Sequence, residues 1–324
     1  MKPSATARAG ANIALVKYWG KRDAVLNLPA AGSLSITLDQ LETRTTVTAD
    51  EQLSDDVLLL NGQASDAGRI RPLLDRFRRH SGHAVFCRVE SHNNFPTGAG
   101  LASSASAFAA LVAAADAAFA TRLDDRALSE HARLGSGSAA RSIFGGFVEM
   151  AAGTREDGRD AVARPLLSAE AWPLEVIVAV VDEASKAVSS TRGMNDTQAS
   201  SPYYPAWLNQ VPRDLAQARA AIAARDFQAL GQVAEGSALA MHASALASRP
   251  GLIYWQPATL GLIEVVRDLQ ADGVAAFFTI DAGPQVKVVC LPEASEQVTS
   301  ALSSVSGVKR LIHCRLGPGV RVVA

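Results

Sequence analysis

The feature that most constrains the fold is an alanine-rich stretch from Ala102 to Ala120, preceded by a run of glycines and other small residues. Alanine has the highest helix propensity, and Phe108, Leu111 and Phe119 add larger apolar side chains, so the stretch predicts one long helix. The preceding run reads Pro96-Thr97-Gly98-Ala99-Gly100-Leu101. Small residues there leave backbone N–H groups accessible at the positive end of the helix, where phosphate oxygens can approach closely. The alternative is a small-residue loop capped by serine, without a ligand.

Composition indicates an ordinary globular protein. The chain has 324 residues, of which 48% are hydrophobic and 19% charged, so we expect one large domain or two packed domains rather than disorder. The formal net charge is −1, which provides no general attraction to nucleic acid or to membrane surfaces. An anionic ligand would therefore need a local cluster of positive groups.

Cysteine usage and hydropathy predict a cytoplasmic protein. The three cysteines, Cys87, Cys290 and Cys314, are scattered and have no paired or metal-type spacing. Residues Met1 to Gly10 carry no long apolar run, and Leu174 to Val181 is too short to cross a bilayer. The six histidines also lack metal-ligand spacing.

Strand-like and helix-like segments alternate along the chain, which predicts a mixed α+β protein of two lobes with a cleft between them. We place the domain boundary in the polar segment that follows Leu174 to Val181, with domains at 1–183 and 184–324. Strands are expected at Ala11 to Val16, Leu34 to Leu38, Val57 to Leu60, Val85 to Val89, Leu174 to Val181, Ala275 to Ile280, Val286 to Leu291 and Leu311 to Arg315. Besides Ala102 to Ala120, helices are expected at Arg69 to Arg79, Leu215 to Ala224, Phe227 to Met241, Leu260 to Gln270 and Ala294 to Ser303.

A second stretch, Asn12 to Asp23, combines a buried strand with cations. A lysine at the end of such a strand, Lys17, is costly unless its charge is paired. Lys17, Lys21 and Arg22 lie within six residues of one another, beside two aromatic residues, and would make a good anion site. For Lys21 and Arg22 alone, the alternative is an ordinary solvated strand end.

Two hydroxyl-rich segments are further candidates for ligand contacts. Ser136 to Ser142 combines flexible backbone with Arg141, which suits a site that grips a carboxylate or phosphate. Lys186 to Met194 contains three consecutive hydroxyl residues that could bind phosphoryl oxygens. The alternatives are a loop with a solvated arginine and a serine-rich linker, respectively.

A carboxylate is predicted where one strand ends in a turn, at Thr279-Ile280-Asp281-Ala282-Gly283-Pro284. An aspartate in such a turn commonly stabilises the turn itself. Asp281 also has a possible partner, because Lys17 lies on a different strand and an Asp–Lys pair in a closed cleft would keep the carboxylate ionised.

These five stretches, in their order along the chain from Ala11 to Gly283, resemble the diphosphomevalonate decarboxylase family of the GHMP kinase superfamily. The resemblance implies a two-lobed fold, with an N-terminal ribosomal-S5-like lobe and a C-terminal ferredoxin-like lobe around a central active site. It implies ATP and Mg²⁺ as cofactors, a small-molecule substrate and a homodimer.

The resemblance also implies roles for individual residues. Asp281, Lys17 and Arg141 are the catalytic candidates, and Arg141 is assigned to the carboxylate that leaves as carbon dioxide. Ser104 is the candidate metal contact. The nucleotide-binding candidates are Pro96, Gly98, Gly100, Leu101, Ala102, Ser103, Ser104, Ser106 and Lys186. The substrate-binding candidates are Tyr18, Trp19, Gly20, Lys21, Arg71, Ser136, Gly137, Ser138, Ala139, Ala140, Arg141, Ser190 and Thr191.

The chain departs from the family pattern in two places. Ala31-Gly32-Ser33 stands where the family often has Asn-Ser-Ser, and Ala140 stands where it usually has cysteine, at a position expected to serve packing.

The implied reaction is ATP-dependent decarboxylation of diphosphomevalonate. A kinase or decarboxylase acting on mevalonate or its monophosphate is the alternative among enzymes, although Lys17, Arg141 and Asp281 together favour decarboxylation. A non-catalytic regulator on this fold would be expected to lose the aspartate or the phosphate loop, and both are retained here.

Overall fold

A computed structural model describes residues 3–96, 100–184 and 186–323. Gly98, a predicted contact of the nucleotide, lies outside the described residues. The strands are β1 (Ser4–Val16), β2 (Lys21–Asp23), β3 (Leu28–Pro29), β4 (Ser33–Ala49), β5 (Val57–Leu60), β6 (Gln63–Ser65), β7 (Cys87–Asn93), β8 (Phe147–Met150), β9 (Ala163–Leu167), β10 (Glu175–Val180), β11 (Ala276–Ile280), β12 (Val286–Cys290), β13 (Arg310–Arg315) and β14 (Arg321–Val323). The helices are α1 (Arg71–Ser81), α2 (Ser103–Phe119), α3 (Asp125–Gly135), α4 (Ser190–Ser200), α5 (Tyr204–Ala224), α6 (Phe227–Leu246), α7 (Pro257–Ala271) and α8 (Ser295–Ser303), with 3-10 turns at Gly137–Ile143 and Pro292–Ala294.

The first lobe is built on a mixed sheet with strand order β14-β1-β4-β7-β5-β6, extended by β8 and β9 from β4. Helix α2 packs against β1 and β4. Most of its side chains are alanines and six of them, between Ala109 and Ala115 together with Ala105, are buried. Such small side chains let the helix axis approach the sheet closely, which explains why an alanine-rich helix occupies the centre of this lobe.

The second lobe is an antiparallel sheet with strand order β11-β12-β10-β13. The apolar runs in β10, β11 and β12 are buried on both faces because helices cover the sheet, with α6 against β11 on one side and α7 against β11 and β12. Strand β10 precedes the predicted domain boundary at 183–184 yet belongs to this second sheet, and β14 follows that boundary yet belongs to the first. The two sheets therefore exchange strands across the boundary, and the division itself stays a prediction.

The lobes share one hydrophobic cluster, which includes Ile13 and Ile36 of the first sheet and Val178 and Phe277 of the second. At the end of β11, the hydroxyl of Thr279 donates a hydrogen bond to the carbonyl of Ala14, at 3.1 Å. This contact places the last residues of β1 beside the turn that follows β11.

The mixed α+β architecture predicted from sequence is confirmed, and the predicted strands and helices are present with ends shifted by a few residues, except that β1, β4 and α5 are much longer. We did not predict α3, although Asp124 caps it by accepting a hydrogen bond from the Ala127 N–H at 2.8 Å. We expected a loop at Ser136 to Ser142 and at the polar segment that follows β10, but these form a 3-10 turn and, in part, α4. No helix in the described parts of the chain is long and apolar enough to cross a membrane.

Candidate active site

A cavity of about 980 Å³ lies between the lobes. The first lobe contributes the end of β1, the N-terminal turn of α2 and the 3-10 turn after α3, while the second contributes the start of α4 and the turn after β11. The segments singled out from sequence therefore meet around one space.

At the base of the cavity, Asp281 lies between two lysines. The Lys17 ammonium donates a hydrogen bond to Asp281 Oδ1 at 2.7 Å and a second to the carbonyl of Ala14 at 2.8 Å. On the other side, Lys287 Nζ lies 3.2 Å from Asp281 Oδ2. Both lysines are buried, whereas the Asp281 side chain is 23% exposed, so the carboxylate faces the cavity and the ammonium groups support it from behind.

Burial and charge determine the protonation of this cluster. Burial lowers the pKa of Lys17 to about 8, and the attraction of Asp281 prevents a larger fall. For Asp281, burial acts to raise the pKa, but the Lys17 and Lys287 ammonium groups outweigh it and hold the pKa well below its ordinary value. Near neutral pH the carboxylate is therefore ionised and Lys17 is mostly charged.

Arg141 is a buried guanidinium held by neutral partners. It is 1% exposed and donates to Ser35 Oγ at 3.0 Å, to Ser33 Oγ at 2.5 Å and to Asn12 Oδ1 at 3.1 Å. Burial lowers the pKa of Arg141 to about 10, with smaller opposing contributions from Tyr18 and Asp281, so the side chain keeps its charge at neutral pH. Among the described residues no carboxylate forms a salt bridge with Arg141, although it lines the cavity, so its charge is available to an anionic ligand.

The N-terminal turn of α2 faces the cavity through Gly100, Ala102, Ser103 and Ser104. Ala102 precedes the helix in a left-handed conformation with φ 57°, and its side chain makes no cap, so backbone N–H groups stay available for an anion. The Ser104 hydroxyl lies 3.4 Å from that of Ser136, at the cavity surface.

Three other predicted contacts in this segment do not line the cavity. Leu101 belongs to the hydrophobic cluster shared by the lobes. Ser106 is buried, with its hydroxyl 2.6 Å from that of Thr43, because it lies on the sheet-facing side of α2. Pro96 is half-buried away from the cavity.

The start of the 3-10 turn faces the cavity and its middle faces the core. Ser136, Gly137 and Ser138 line the cavity as predicted, whereas Ala139 and Ala140 are fully buried in the core of the first lobe. The two alanine side chains therefore pack in the core and do not face the cavity, because a 3-10 helix of three residues per turn spreads successive side chains around its axis.

The segment after β1 supplies an aromatic wall and one cation. Tyr18, Trp19 and Lys21 line the cavity, but Gly20 does not: it adopts φ 106° against the hydroxyl of Tyr204. The Tyr18 hydroxyl is buried and has no hydrogen-bond partner among the described residues, and burial raises the pKa of Tyr18 to about 12. Trp19 packs edge-on against Tyr254, with ring centroids 6.1 Å apart. Burial, followed by the nearby Arg69, lowers the pKa of Lys21.

The assignment of Arg71 as a substrate contact is not supported by its position. Arg71 pairs with Asp55 at 2.5 Å on the surface and does not line the cavity. Arg69 and Arg76 line it instead. Arg69 lies in the turn before α1 and Arg76 within the helix, whereas the Arg71 side chain is held by Asp55 away from the cavity.

The segment before α4 closes the cavity from the second lobe. Lys186 Nζ donates to Ser190 Oγ at 2.6 Å and to the carbonyl of Ala282 at 2.8 Å. Burial lowers the pKa of Lys186 to about 8. Ser190 and Thr191 also line the cavity, so this predicted group comes together around the turn that carries Asp281.

Sequence reasoning missed Lys287, Asn12 and Ser35 as site residues. Asn12 orients Arg141 and also donates to the Ser138 carbonyl at 2.9 Å, which ties β1 to the 3-10 turn. The signal for Lys287 was available, because it is the one charged residue in an otherwise apolar strand, Val286–Cys290. Ser35 could not be distinguished from any other strand serine.

The described residues contain no group of three or more His, Cys, Asp or Glu side chains able to hold a metal ion. Asp281 is already engaged by two ammonium groups. A magnesium ion bound here would therefore depend on ligand phosphates and water, with Ser104 as a candidate protein ligand, which is the usual mode for Mg²⁺ at nucleotide sites.

Comparisons with known proteins agree on one family. Residues 9–163 match the family described as the diphosphomevalonate decarboxylase-like N-terminal domain, and residues 176–322 match the mevalonate 5-diphosphate decarboxylase C-terminal domain. Diphosphomevalonate decarboxylase of Candida albicans is 36% identical over 98% of this chain and 97% of its own length.

Solved structures give the same answer. The mevalonate diphosphate decarboxylase from Staphylococcus aureus superposes with a TM-score of 0.93 and 39% identity, covering 100% of this chain and 99% of its own. A second neighbour, described as MDDEF in complex with MVAPP, AMPPCP and magnesium, superposes with a TM-score of 0.91 and 39% identity, covering 100% of this chain and 99% of its own. The cavity, its paired carboxylate and its buried arginine thus lie in a protein that belongs to the diphosphomevalonate decarboxylase family.

Proposed function

We propose that this chain catalyses the ATP-dependent decarboxylation of (R)-5-diphosphomevalonate to isopentenyl diphosphate, with release of ADP, phosphate and carbon dioxide. The observation that carries the proposal is one cavity that holds both an ionised Asp281 and a buried Arg141 without a carboxylate partner. The structural neighbour in complex with MVAPP, AMPPCP and magnesium supports the two substrates and the metal.

In the first step the 3-hydroxyl oxygen of the substrate attacks the γ-phosphorus of ATP. The new P–O bond forms as the bond to the β-phosphate oxygen breaks, and ADP leaves. Because two lysines hold the pKa of Asp281 low, this carboxylate is a weak base, so its main work is to orient the hydroxyl and to accept its proton late in the transfer.

The α2 turn and the lysines carry the electrostatic part of this step. Backbone N–H groups near Ser103 and Ser104, with the Lys17 and Lys186 ammonium groups, face the space where transferred oxygens would develop charge. Preorganised charge of this kind is the main source of catalysis in phosphoryl transfer. Mg²⁺, when bound with the nucleotide, supplies further neutralisation of phosphate charge.

In the second step the 3-phosphate departs with its bonding electron pair. The bond between the substrate carboxylate and the adjacent carbon breaks, and its electrons form the new carbon–carbon double bond while carbon dioxide is released. Arg141 holds that carboxylate until it leaves. Its three hydrogen bonds to Ser33, Ser35 and Asn12 fix the guanidinium plane, as a two-point grip requires.

The deciding experiment is an ATP-coupled assay with mevalonate, its monophosphate and its diphosphate, with trapping of carbon dioxide. We expect strong preference for the diphosphate, because Lys21, Arg69 and Arg76 offer more positive charge around the cavity than one phosphate needs. Each lost charge-assisted contact costs about 1.5–3 kcal/mol. Equal efficiency with the monophosphate would instead assign the chain to the monophosphate enzymes, and ADP release without carbon dioxide would make it a kinase.

Two further properties belong to the same proposal. We infer a cytoplasmic enzyme, consistent with three buried thiols that form no disulfide. We also infer a homodimer, which sedimentation of the purified chain would test directly.

A further inference from the structure

We propose that Lys287 is a positioning residue that holds Gly100, in the segment leading into α2 of the first lobe, and Asp281 of the second lobe in fixed relation. Its Nζ donates a hydrogen bond to the Gly100 carbonyl at 3.0 Å and lies 3.2 Å from Asp281 Oδ2. The inference rests on the proposed function, because it assigns to Lys287 a coupling between the nucleotide site and the reacting carboxylate.

The two segments that Lys287 joins are already in direct contact. Gly100 adopts φ 83°, and a Cβ placed there would lie 3.2 Å from the Cα of Gly283 and 3.4 Å from the Ala282 carbonyl oxygen. The backbone at Gly100 thus packs on the backbone that follows Asp281. Lys287 approaches both from β12 beneath them, with its side chain buried.

The burial of Lys287 needs a reason. A buried ammonium is retained only where it is paired, and Asp281, the one carboxylate that pairs with Lys287 among the described residues, is shared with Lys17. One negative charge therefore serves two positive charges, and the cluster carries an excess positive charge beside the phosphate-facing turn of α2. An arrangement that served stability alone would need only one lysine per carboxylate.

The shared carboxylate predicts a distinctive pH effect. Lys287 lowers the pKa of Asp281 as an opposite charge and lowers the pKa of Lys17 as a like charge, after the larger effect of burial on each group. Removing the Lys287 ammonium should therefore raise both pKa values. The other titratable groups that face the cluster are Arg141 on the 3-10 turn, Lys186 before α4 and His242 on α6, whose pKa burial lowers to about 3.

The test is Lys287→Met, which keeps an unbranched side chain one atom shorter and removes the charge, compared with Lys309→Met in the same lobe. Lys309 is 54% exposed and pairs with Asp182 on the surface. For Lys287→Met we expect kcat to fall about 10- to 100-fold and the affinity for AMPPCP, measured by calorimetry, to weaken about tenfold. Both limbs of the kcat/KM profile should move to higher pH, and Lys309→Met should change none of these.

Two measurements keep the proposal separate from the assigned reaction and from a folding defect. The Asp281 carboxyl pKa, followed by carbon NMR, and AMPPCP affinity do not require turnover, so they decide the role of Lys287 even if the wild-type chain releases no carbon dioxide. Lys287→Gln retains an N–H donor without the charge. If the methionine variant fails to fold, the same two measurements are made on the glutamine variant. A folded Lys287 variant with an unchanged Asp281 pKa and unchanged AMPPCP affinity would overturn the proposal.

Discussion

Lys17 and Asp281, which are 264 residues apart in the chain, meet in a 2.7 Å ion pair that joins the first lobe to the second. Lys17 is buried and its backbone N–H also donates to Ser237 Oγ at 3.0 Å, so its position is set by β1 and α6 together. The pair is part of the interface between the lobes as well as of the candidate reaction centre, so changes to it should affect both activity and stability.

Asp281→Asn keeps the shape of the side chain and removes its charge. We expect kcat to fall about 10²–10⁴-fold, because a positioned carboxylate no longer orients the 3-hydroxyl. ATP affinity should change less, and no 3-phosphorylated intermediate should accumulate in rapid-quench samples. The surface variant Asp268→Asn on α7 is the control. Accumulation of the intermediate would place Asp281 in the decarboxylation step instead.

Activity and stability should change in opposite directions as pH rises above neutral. With a folded pKa of about 8, against 10.5 for an ordinary lysine, Lys17 loses its proton in the folded protein first, so kcat/KM should fall as pH rises through about 8. Over the window from about 8 to 10.5 the unfolded chain binds more protons at this residue, so the contribution of Lys17 to the free energy of unfolding rises with pH. Asp281 affects stability at acid pH. Its contribution to the free energy of unfolding is fully present above the carboxyl pKa of the unfolded chain, and it is lost as the pH falls toward the lower carboxyl pKa of the folded protein.

Kinetic profiles and thermal melts over the same pH range check this prediction. Because burial also lowers the pKa of Lys186 to about 8, Lys186→Arg, which stays charged, should leave the alkaline limb in place if that limb belongs to Lys17. Parallel loss of activity and melting temperature above pH 8 would contradict the assignment.

Arg141→Lys should lower kcat strongly without unfolding the protein. Lysine cannot reproduce the planar fork that contacts Ser33, Ser35 and Asn12, so the remaining charge would be misplaced relative to the substrate carboxylate. We expect kcat to fall at least about 10²-fold. Arg126→Lys on the exposed face of α3 provides the matched control. Wild-type turnover in a normally melting Arg141→Lys variant would make Arg141 peripheral.

Arg69 and Arg71 should respond differently to the same change. Arg69→Ala removes a cation that lines the cavity and lies 5.1 Å over the Phe108 ring, so KM for an anionic substrate should rise several-fold. Arg71→Ala removes only an exposed pair with Asp55, worth about 0–1 kcal/mol, and should leave both KM values unchanged. Steady-state kinetics for both substrates distinguish the two, and the reverse pattern would restore Arg71 as the substrate contact.

Gly137→Ala should disturb the aromatic wall. A Cβ at this position would lie 2.2 Å from the Tyr18 hydroxyl, so the tyrosine must move, at a cost of about 1–3 kcal/mol in unfolding free energy. KM for the phosphorylated substrate should rise with it. Gly236→Ala on α6, where nothing lies within 4 Å of the added methyl, should be neutral or slightly stabilising. Denaturant melts of the two variants give the comparison, and equal stability would show that the ring adapts without strain.

Local pattern was sufficient to predict much of this protein from sequence. Helix α2 and the glycines before it, the buried strand that ends at Lys17, and the turn that carries Asp281 all follow from propensity and spacing over fewer than twenty residues. The order of these motifs also carried the family resemblance, which the comparisons confirm.

Only the tertiary structure decided which of these groups touch. Lys287 is a second partner of Asp281 because β11 and β12 pair in a register that brings the Lys287 side chain to both Asp281 and Gly100. Arg69 and Arg76 line the cavity and Arg71 does not, because Arg71 pairs with Asp55 on the surface. Sequence spacing specifies elements of a few turns, whereas the contact of a lysine with a carboxylate in another lobe depends on how packed sheets and helices place their ends.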